Sequence, residues 1–352
     1  MRGCYEPAAG AAKCGDRRSR CRTERLPPSE YSVRKITTLL GFALGLAWSL
    51  ALADAADAQR RAAELLREGD LNGALREFDR AVTLEPGSSL VWYNRGLVRR
   101  QLGACPAALR DFDRAIALKA DYFNAYYQRA NCLQTLGNYD RAVEDYTRAV
   151  EIPGRIDARF LAYFGRGDAY RRLARLDEAY ADYTRVTQLR NDTAALRSRA
   201  WIDFYRGRWN DAYREASKYV HDTEGKEPDA AYVVILGTLA LRRDARPRDA
   251  DAFLREWQPK LDASRWPAPV TAYLLGGDAR ILLAAAREPG ERTEARTYLA
   301  VDLLAQGKRA EGVKLLQEVL RDGEPGYMEY DAAYHELRRL GLAQPADRRR
   351  RR

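Results

Sequence analysis

The segment GDLNGALREFDRAVTLEP at Gly69 recurs 34 residues on as GACPAALRDFDRAIALKA and again, one period later, as GNYDRAVEDYTRAVEIPG. No other property of the chain narrows its fold so far. Glycines 69, 103 and 137, alanines 74, 108, 142 and 179, the aromatics Phe78, Phe112, Tyr146 and Tyr183, and then Ala81, Ala115, Ala149 and Val186 keep one register. The fourth copy arrives three residues late, a delay absorbed around Pro153-Gly154. A unit this short cannot bury a core alone, so neighbouring copies must stack. The spacing predicts a helical hairpin in each. Small residues at Gly96, Ala130 and Gly167 on first helices, and at Ala108, Ala142 and Ala179 on second helices, let two backbones approach while the aromatics fill the gaps beside them.

This register resembles the tetratricopeptide repeat (TPR). The resemblance implies an all-α fold, a right-handed superhelical solenoid of helical hairpins. Four units run from about 56 to 190, and a weaker fifth covers 193–222 with Ala200, Gly207, Trp209 and Ala212 in phase, giving an array over 56–222. From 223 to 342 the register is lost but TPR-like helices are still predicted. That C-terminal stretch resembles the NlpI-like family of bacterial envelope TPR proteins through Trp266-Pro267, Tyr273-Leu274-Leu275-Gly276, Glu294-Ala295, Tyr298-Leu299, Leu304, Gly307, Glu329-Tyr330, Ala333, Glu336-Leu337 and Leu340-Gly341. The resemblance implies a periplasmic adaptor, forming a homodimer and linking peptidoglycan hydrolases to a processing protease. Members of that family are typically lipoproteins; here no cysteine stands directly after the apolar run that precedes the array.

That run, Ile36 to Ala53, follows Arg34-Lys35 and ends in three A-x-A triplets, Ala51-Leu52-Ala53, Ala53-Asp54-Ala55 and Ala56-Asp57-Ala58. Such a succession reads as a secretory signal over 34–55, with mature protein starting near Asp54 or Ala56. Residues 1–33 show no periodicity and are expected to fall outside the mature protein, the true start lying near Val33. The alternative is an uncleaved membrane anchor, since the run reaches the lower limit for spanning a bilayer.

The formal charge of +10 belongs mostly to the ends. Residues 1–55 hold nine Lys/Arg against five Asp/Glu, and Arg348 to Arg352 add five more positive charges, which leaves the body at about +1. Nucleic-acid binding depends on phosphate neutralisation by a basic face, and so nearly balanced a body offers little of it. The Arg-rich tail, 343–352, reads as disordered, with a weak contact to anionic membrane through Arg348 to Arg352 as its functional reading. Only two histidines occur, His221 and His335, neither at metal-ligand spacing, and no P-loop, dinucleotide fingerprint, GxSxG or HExxH is present. The expectation is a non-catalytic scaffold with no cofactor and no metal. Cys105 and Cys132 read as two buried apolar residues, with a disulfide as the alternative.

Two further regularities bear on the array. Arg95, Arg129, Arg166 and Arg199 each precede the small residue of a first helix, while Glu77, Asp111, Asp145 and Asp182 each precede the aromatic of a second, which suggests interhelical ion pairs. Tyr93, Tyr127 and Phe164 share a position on successive first helices, and Arg100, Asn131, Gln134, Asp168 and Arg171 lie one turn further along. These eight residues are the candidate groove for a protein or extended peptide ligand on the concave side. A cationic clamp for a terminal carboxylate is absent from it, because the matching positions are Gln59, Ala63, Asn94, Asn124 and Gln128.

Overall fold

The computed structural model describes residues 52–153 and 158–343; the expected signal run up to residue 51, residues 1–33 and Arg348 to Arg352 lie outside them. The described residues form an all-α solenoid. Helix α1 (from residue 52 to 68) pairs with α2 (Leu71–Leu84), α3 (Ser89–Gln101) with α4 (Cys105–Leu118), α5 (Phe123–Thr135) with α6 (Tyr139–Glu151), α7 (Arg159–Arg172) with α8 (Leu176–Leu189), and α9 (Thr193–Arg206) with α10 (Trp209–Asp222). A sixth hairpin, α11 (Ala230–Arg243) and α12 (Pro247–Trp257), follows without a break. Then come the short α13 (Ala268–Leu274) and α14 (Ala279–Ala285), the hairpin α15 (Pro289–Ala305) and α16 (Arg309–Asp322), and a closing helix α17 (Met328–Arg339).

The small-residue positions do what the spacing predicts. A Cβ added at Gly96 would stand 2.6 Å from Phe112 Cε1, and one at Gly167 3.0 Å from Tyr183 Cε1, so these rings of second helices lie against bare backbone of the first; beyond the register, Gly237 meets Phe253 Cε1 in the same way at 2.8 Å. The hairpin turns need a left-handed residue, supplied by Gly69, Gly103, Gly137 and Gly207 at φ between 74° and 82°. In the fourth hairpin Ala174 takes that conformation at φ 59°, a strained choice for a residue with a Cβ.

The arginines form the expected pairs, and they also reach backwards. Arg95 grips Asp111 of its own hairpin through Nε (3.1 Å) and Nη2 (2.7 Å), while Nη1 donates to Asp79 of the preceding hairpin at 2.8 Å. Arg129 repeats this with Asp145 at 2.7 and 2.6 Å and with Asp113 at 2.7 Å. Arg166 holds Asp182 at 2.7 and 2.8 Å and donates to Thr147 at 3.0 Å. Arg199 ends the series on Glu215 and Thr187. One arginine therefore ties its own two helices together and also fixes them to the hairpin before. Burial alone would lower the Arg129 pKa, but the Asp145 and Asp113 carboxylates outweigh it and hold the guanidinium above its ordinary value. Glu77 is a correction: Arg61, which stands at the register position, bonds Asp57 on its own helix at 2.6 Å, and one Glu77 carboxylate oxygen has no hydrogen-bond partner.

The C-terminal half is more heavily buried. One apolar cluster runs from Ala179 to Ala332, and nine consecutive residues of α17, Glu329 to Leu337, are all buried. Four of the nine, Glu329, Asp331, His335 and Glu336, are polar, so this enclosure depends on partners for them rather than on an apolar helix surface. Its polar residues are matched: Asp331 pairs with Arg171, Glu336 with Arg243 at 3.2 Å and Arg339 at 2.6 Å, and Tyr205 Oη donates to the Met328 carbonyl at 2.8 Å. Beside it, Tyr298 donates to Glu329 and the Trp266 indole to Glu294.

Two predictions follow from this packing. Arg129→Ala leaves Asp145 buried without its partner and should cost about 3 kcal/mol, whereas Arg148→Ala removes only a 70 % exposed side chain at 3.3 Å from Glu151 and should cost under about 1 kcal/mol. Equal urea midpoints for the two would show that the bridges carry no stability. The second concerns Glu294, whose carboxyl is pushed up to about 8 by burial and then by the neighbouring Glu329. Its folded pKa lies above its unfolded value, so the folded chain holds an extra proton between about pH 5 and pH 8, and the associated stability is lost as pH rises through that window. Glu294→Gln should make stability less pH-dependent there by on the order of 1–3 kcal/mol. Parallel pH profiles for wild type and variant would count against it.

Candidate functional site

A cavity of about 310 Å³ opens between the first helices α5 and α7 and the start of α9. Five of the eight sequence-predicted residues line it: Tyr127, Asn131, Gln134, Phe164 and Asp168. Phe160, Leu161, Asp192 and Ala194 complete its mouth. Each aromatic wall is half packing and half surface. Tyr127 stacks on Phe123 at 6.2 Å and leans on Tyr146 at 5.9 Å, and Phe164 meets Tyr183 edge-on at 5.4 Å, so one side of each ring anchors the array while the rest borders the cavity.

The floor comes from a second helix. Tyr146 Oη lies 2.6 Å from Asn131 Oδ1 and 2.8 Å from Gln134 Oε1, and Tyr183 Oη donates to Asp168 Oδ1 at 2.7 Å. Phe112, at the same register position, has no hydroxyl and faces an array where the residue corresponding to Asn131 and Asp168 is Leu97. A tyrosine on the second helix thus goes with a polar residue 15 positions earlier on the first, a covariation within the chain that sequence reasoning passed over. Gly165 makes the floor reachable: a Cβ there would stand 2.5 Å from Tyr146 Cζ, whereas the matching positions carry Asn94, Gln128 and Ser198. Burial raises the Tyr146 phenol pKa, so it stays protonated as a donor.

The other three predicted residues lie elsewhere. Tyr93 sits one hairpin earlier, 5.0 Å from Tyr122 and 6.0 Å from Phe112, with Gln128 beside its hydroxyl. Arg100 lies near Tyr93 and Cys132, with its Nε buried and without a hydrogen-bond partner. Arg171 is a correction. It is buried at 7 % exposure, paired with Asp331 of α17 and 3.7 Å from Asp168, because the closing helix packs against this end of α7 and offers the cation no route to a ligand.

The arrangement suits an apolar or aromatic side chain with a polar tip, met by amides and a carboxylate at the floor. Among the described residues no group of three His, Cys, Asp or Glu could hold a metal ion, and no helix is long and apolar enough to cross a membrane. His221 is exposed and His335 is buried, stacked on Tyr205 at 5.1 Å. Cys105 and Cys132 are free thiols in one buried cluster; burial, then the adjacent Cys105, pushes Cys132 up to about 12.

Tetratricopeptide repeat family models match residues 60–123, 123–152 and 161–193. The chain carries tetratricopeptide repeats. A TPR protein from Parabacteroides merdae superposes with a TM-score of 0.51 at 15 % identity, over 81 % of this chain and 99 % of that one, and so shares the fold. PilW, a type IV pilus biogenesis factor, gives 0.49 at 18 % identity over 58 % and 92 % of the two chains, and MamA gives 0.46 at 18 % over 49 % and 93 %. No curated protein matches the chain.

If the Tyr146 hydroxyl orders the floor, Tyr146→Phe should cost about 1 kcal/mol in a urea melt, while Phe112→Tyr, which introduces a hydroxyl opposite Leu97, should cost at least as much. A stabilising Phe112→Tyr would show that hydroxyl and polar residue are not matched.

Proposed function

We propose that the chain is a non-catalytic TPR scaffold that holds an extended peptide of a partner protein across α5 and α7. The observation that carries this is the cavity itself, where residues from three successive first helices converge on a polar floor between aromatic walls. First helices that pack 8 to 10 Å apart would meet about every third residue of an extended chain. The half-exposed Leu161 and the rings of Tyr127 and Phe164 supply apolar area at low entropic cost.

The proposed site of action is the bacterial periplasm, on the strength of Arg34-Lys35, the apolar run and the A-x-A triplets. The NlpI-like resemblance of the C-terminal stretch suggests an adaptor between peptidoglycan hydrolases and a processing protease, working as a homodimer, with the arginine tail touching anionic lipid. A membrane-anchored assembly factor is the second reading. It is favoured by α1, which buries Ala55 and Ala58 completely, so that the triplets Ala53-Asp54-Ala55 and Ala56-Asp57-Ala58 are part of a packed helix.

Leu161→Asp tests the groove without touching the core, since Leu161 is 37 % exposed. Against an array of immobilised peptides from envelope proteins, the wild-type chain should retain a subset, and the variant should bind that subset at least about tenfold more weakly with an unchanged melting temperature. Undiminished binding would place the ligand elsewhere. The mass of the exported chain separates the two locations: a mature start between Asp54 and Gln59 supports the periplasmic reading, and an intact apolar run in the membrane fraction supports the anchor.

A further inference from the structure

In the first five hairpins each second helix packs on the first helix of its successor: α2 on α3, α4 on α5, α6 on α7, α8 on α9 and α10 on α11. At α12 the succession stops. The next long helix, α15, packs on α11 instead, while α13 and α14 fill in against α11 and α15. One flank of α12 is left facing a cleft of about 1110 Å³, with α16 as its far wall. The broken register has removed a helix neighbour and nothing in the described chain takes its place.

The lining says what would fit. Leu275, Leu283, Leu303 and Leu315 give an apolar floor, and Leu275 and Leu283 are 39 % and 37 % exposed. The charges on the walls are unequal. Arg242 is used up by Asp302 at 2.6 Å and Asp251 at 3.1 Å, and Glu318 lies 3.8 Å from Arg296. That leaves Arg255 on α12, Lys308 and Lys314 on the opposite wall, all exposed and without an ion pair, against Glu311 as the one unpaired lining carboxylate.

We propose that this cleft docks a single acidic amphipathic helix of a partner protein, a site separate from the peptide groove. Its walls are helix faces, which accept the ridges of another helix at 8 to 10 Å between axes. The apolar stripe of such a helix would cover the leucines, and its flanking acids would meet Arg255, Lys308 and Lys314. A second copy of this chain is a poorer match, because the exposed apolar helix beside the cleft, α14, carries Arg280 and no acidic residue.

Two helix-forming peptides of about four turns test this, sharing one leucine stripe but flanked by glutamates in one and lysines in the other. With the full chain, fluorescence anisotropy should show the glutamate peptide bound and the lysine peptide at least about tenfold weaker. The double variant Arg255→Glu, Lys314→Glu, at exposed positions, should reverse that order, and Leu283→Glu should weaken both. Leu161→Asp should change neither, which separates this site from the groove. Equal binding of the two peptides, binding of neither, or an order unmoved by charge reversal would overturn the proposal. So would a concentration-dependent dimer in sedimentation that Leu283→Glu abolishes.

Discussion

The distance at which two helix backbones can pass governs the rest of this molecule. Where Gly96 meets Phe112, Gly167 meets Tyr183 or Gly237 meets Phe253, a ring occupies space that any side chain on the first helix would claim. Dispersion contacts at such a seam are individually small and collectively large, and a gap of about an ångström forfeits up to roughly half of them. The residue before the small one then emerges at the edge of the seam. That residue is arginine in four hairpins, and from there its fork reaches an acid on its own second helix and a polar group on the previous one. Packing sets the spacing, and the guanidinium converts that spacing into a fixed stagger between neighbours.

Much of this was legible because a repeat states its rules several times. The hairpins, the arginine pairs and the convergence of Tyr127, Asn131, Gln134, Phe164 and Asp168 all follow from register. Other features could not be read that way. Arg171 stands at a groove position by register, yet its partner Asp331 is 160 residues distant, in a helix belonging to no repeat. Tyr93 and Arg100 were grouped with the groove because period alone does not say which steps of the array stay open. The Tyr146 and Asn131 coupling was visible in principle, as tyrosine paired with polar and phenylalanine paired with leucine, but a covariation with so few copies is easy to pass over. Beyond residue 222 there was no register, and the departure of α15 from α12 toward α11 had no local signal.

The two halves of the chain also differ in how they use charge. In the array, Arg95, Arg129 and Arg166 each meet a buried acid on their own second helix, and Arg95 and Arg129 also reach a half-exposed aspartate on the hairpin before, so the stronger bond closes the hairpin and the more screened one joins neighbours. In the C-terminal half, Glu294 and Glu329 are buried side by side with indole and phenol donors and no arginine bonded to either, so one of them gains by holding a proton near neutrality.

Helix α17 lies over the face of α16 that a further hairpin would cover. A stack of similar hairpins is a one-dimensional lattice whose last unit presents the same sticky face as every unit before it, and nothing in the repeat itself prevents another chain from docking there and extending the row. By packing on α16 and reaching back to α15 and α9, with nine consecutive residues enclosed, α17 covers that face of the α15–α16 hairpin from within the chain. The flank of α12 is left open, so the face the chain covers and the face it leaves free lie on different hairpins.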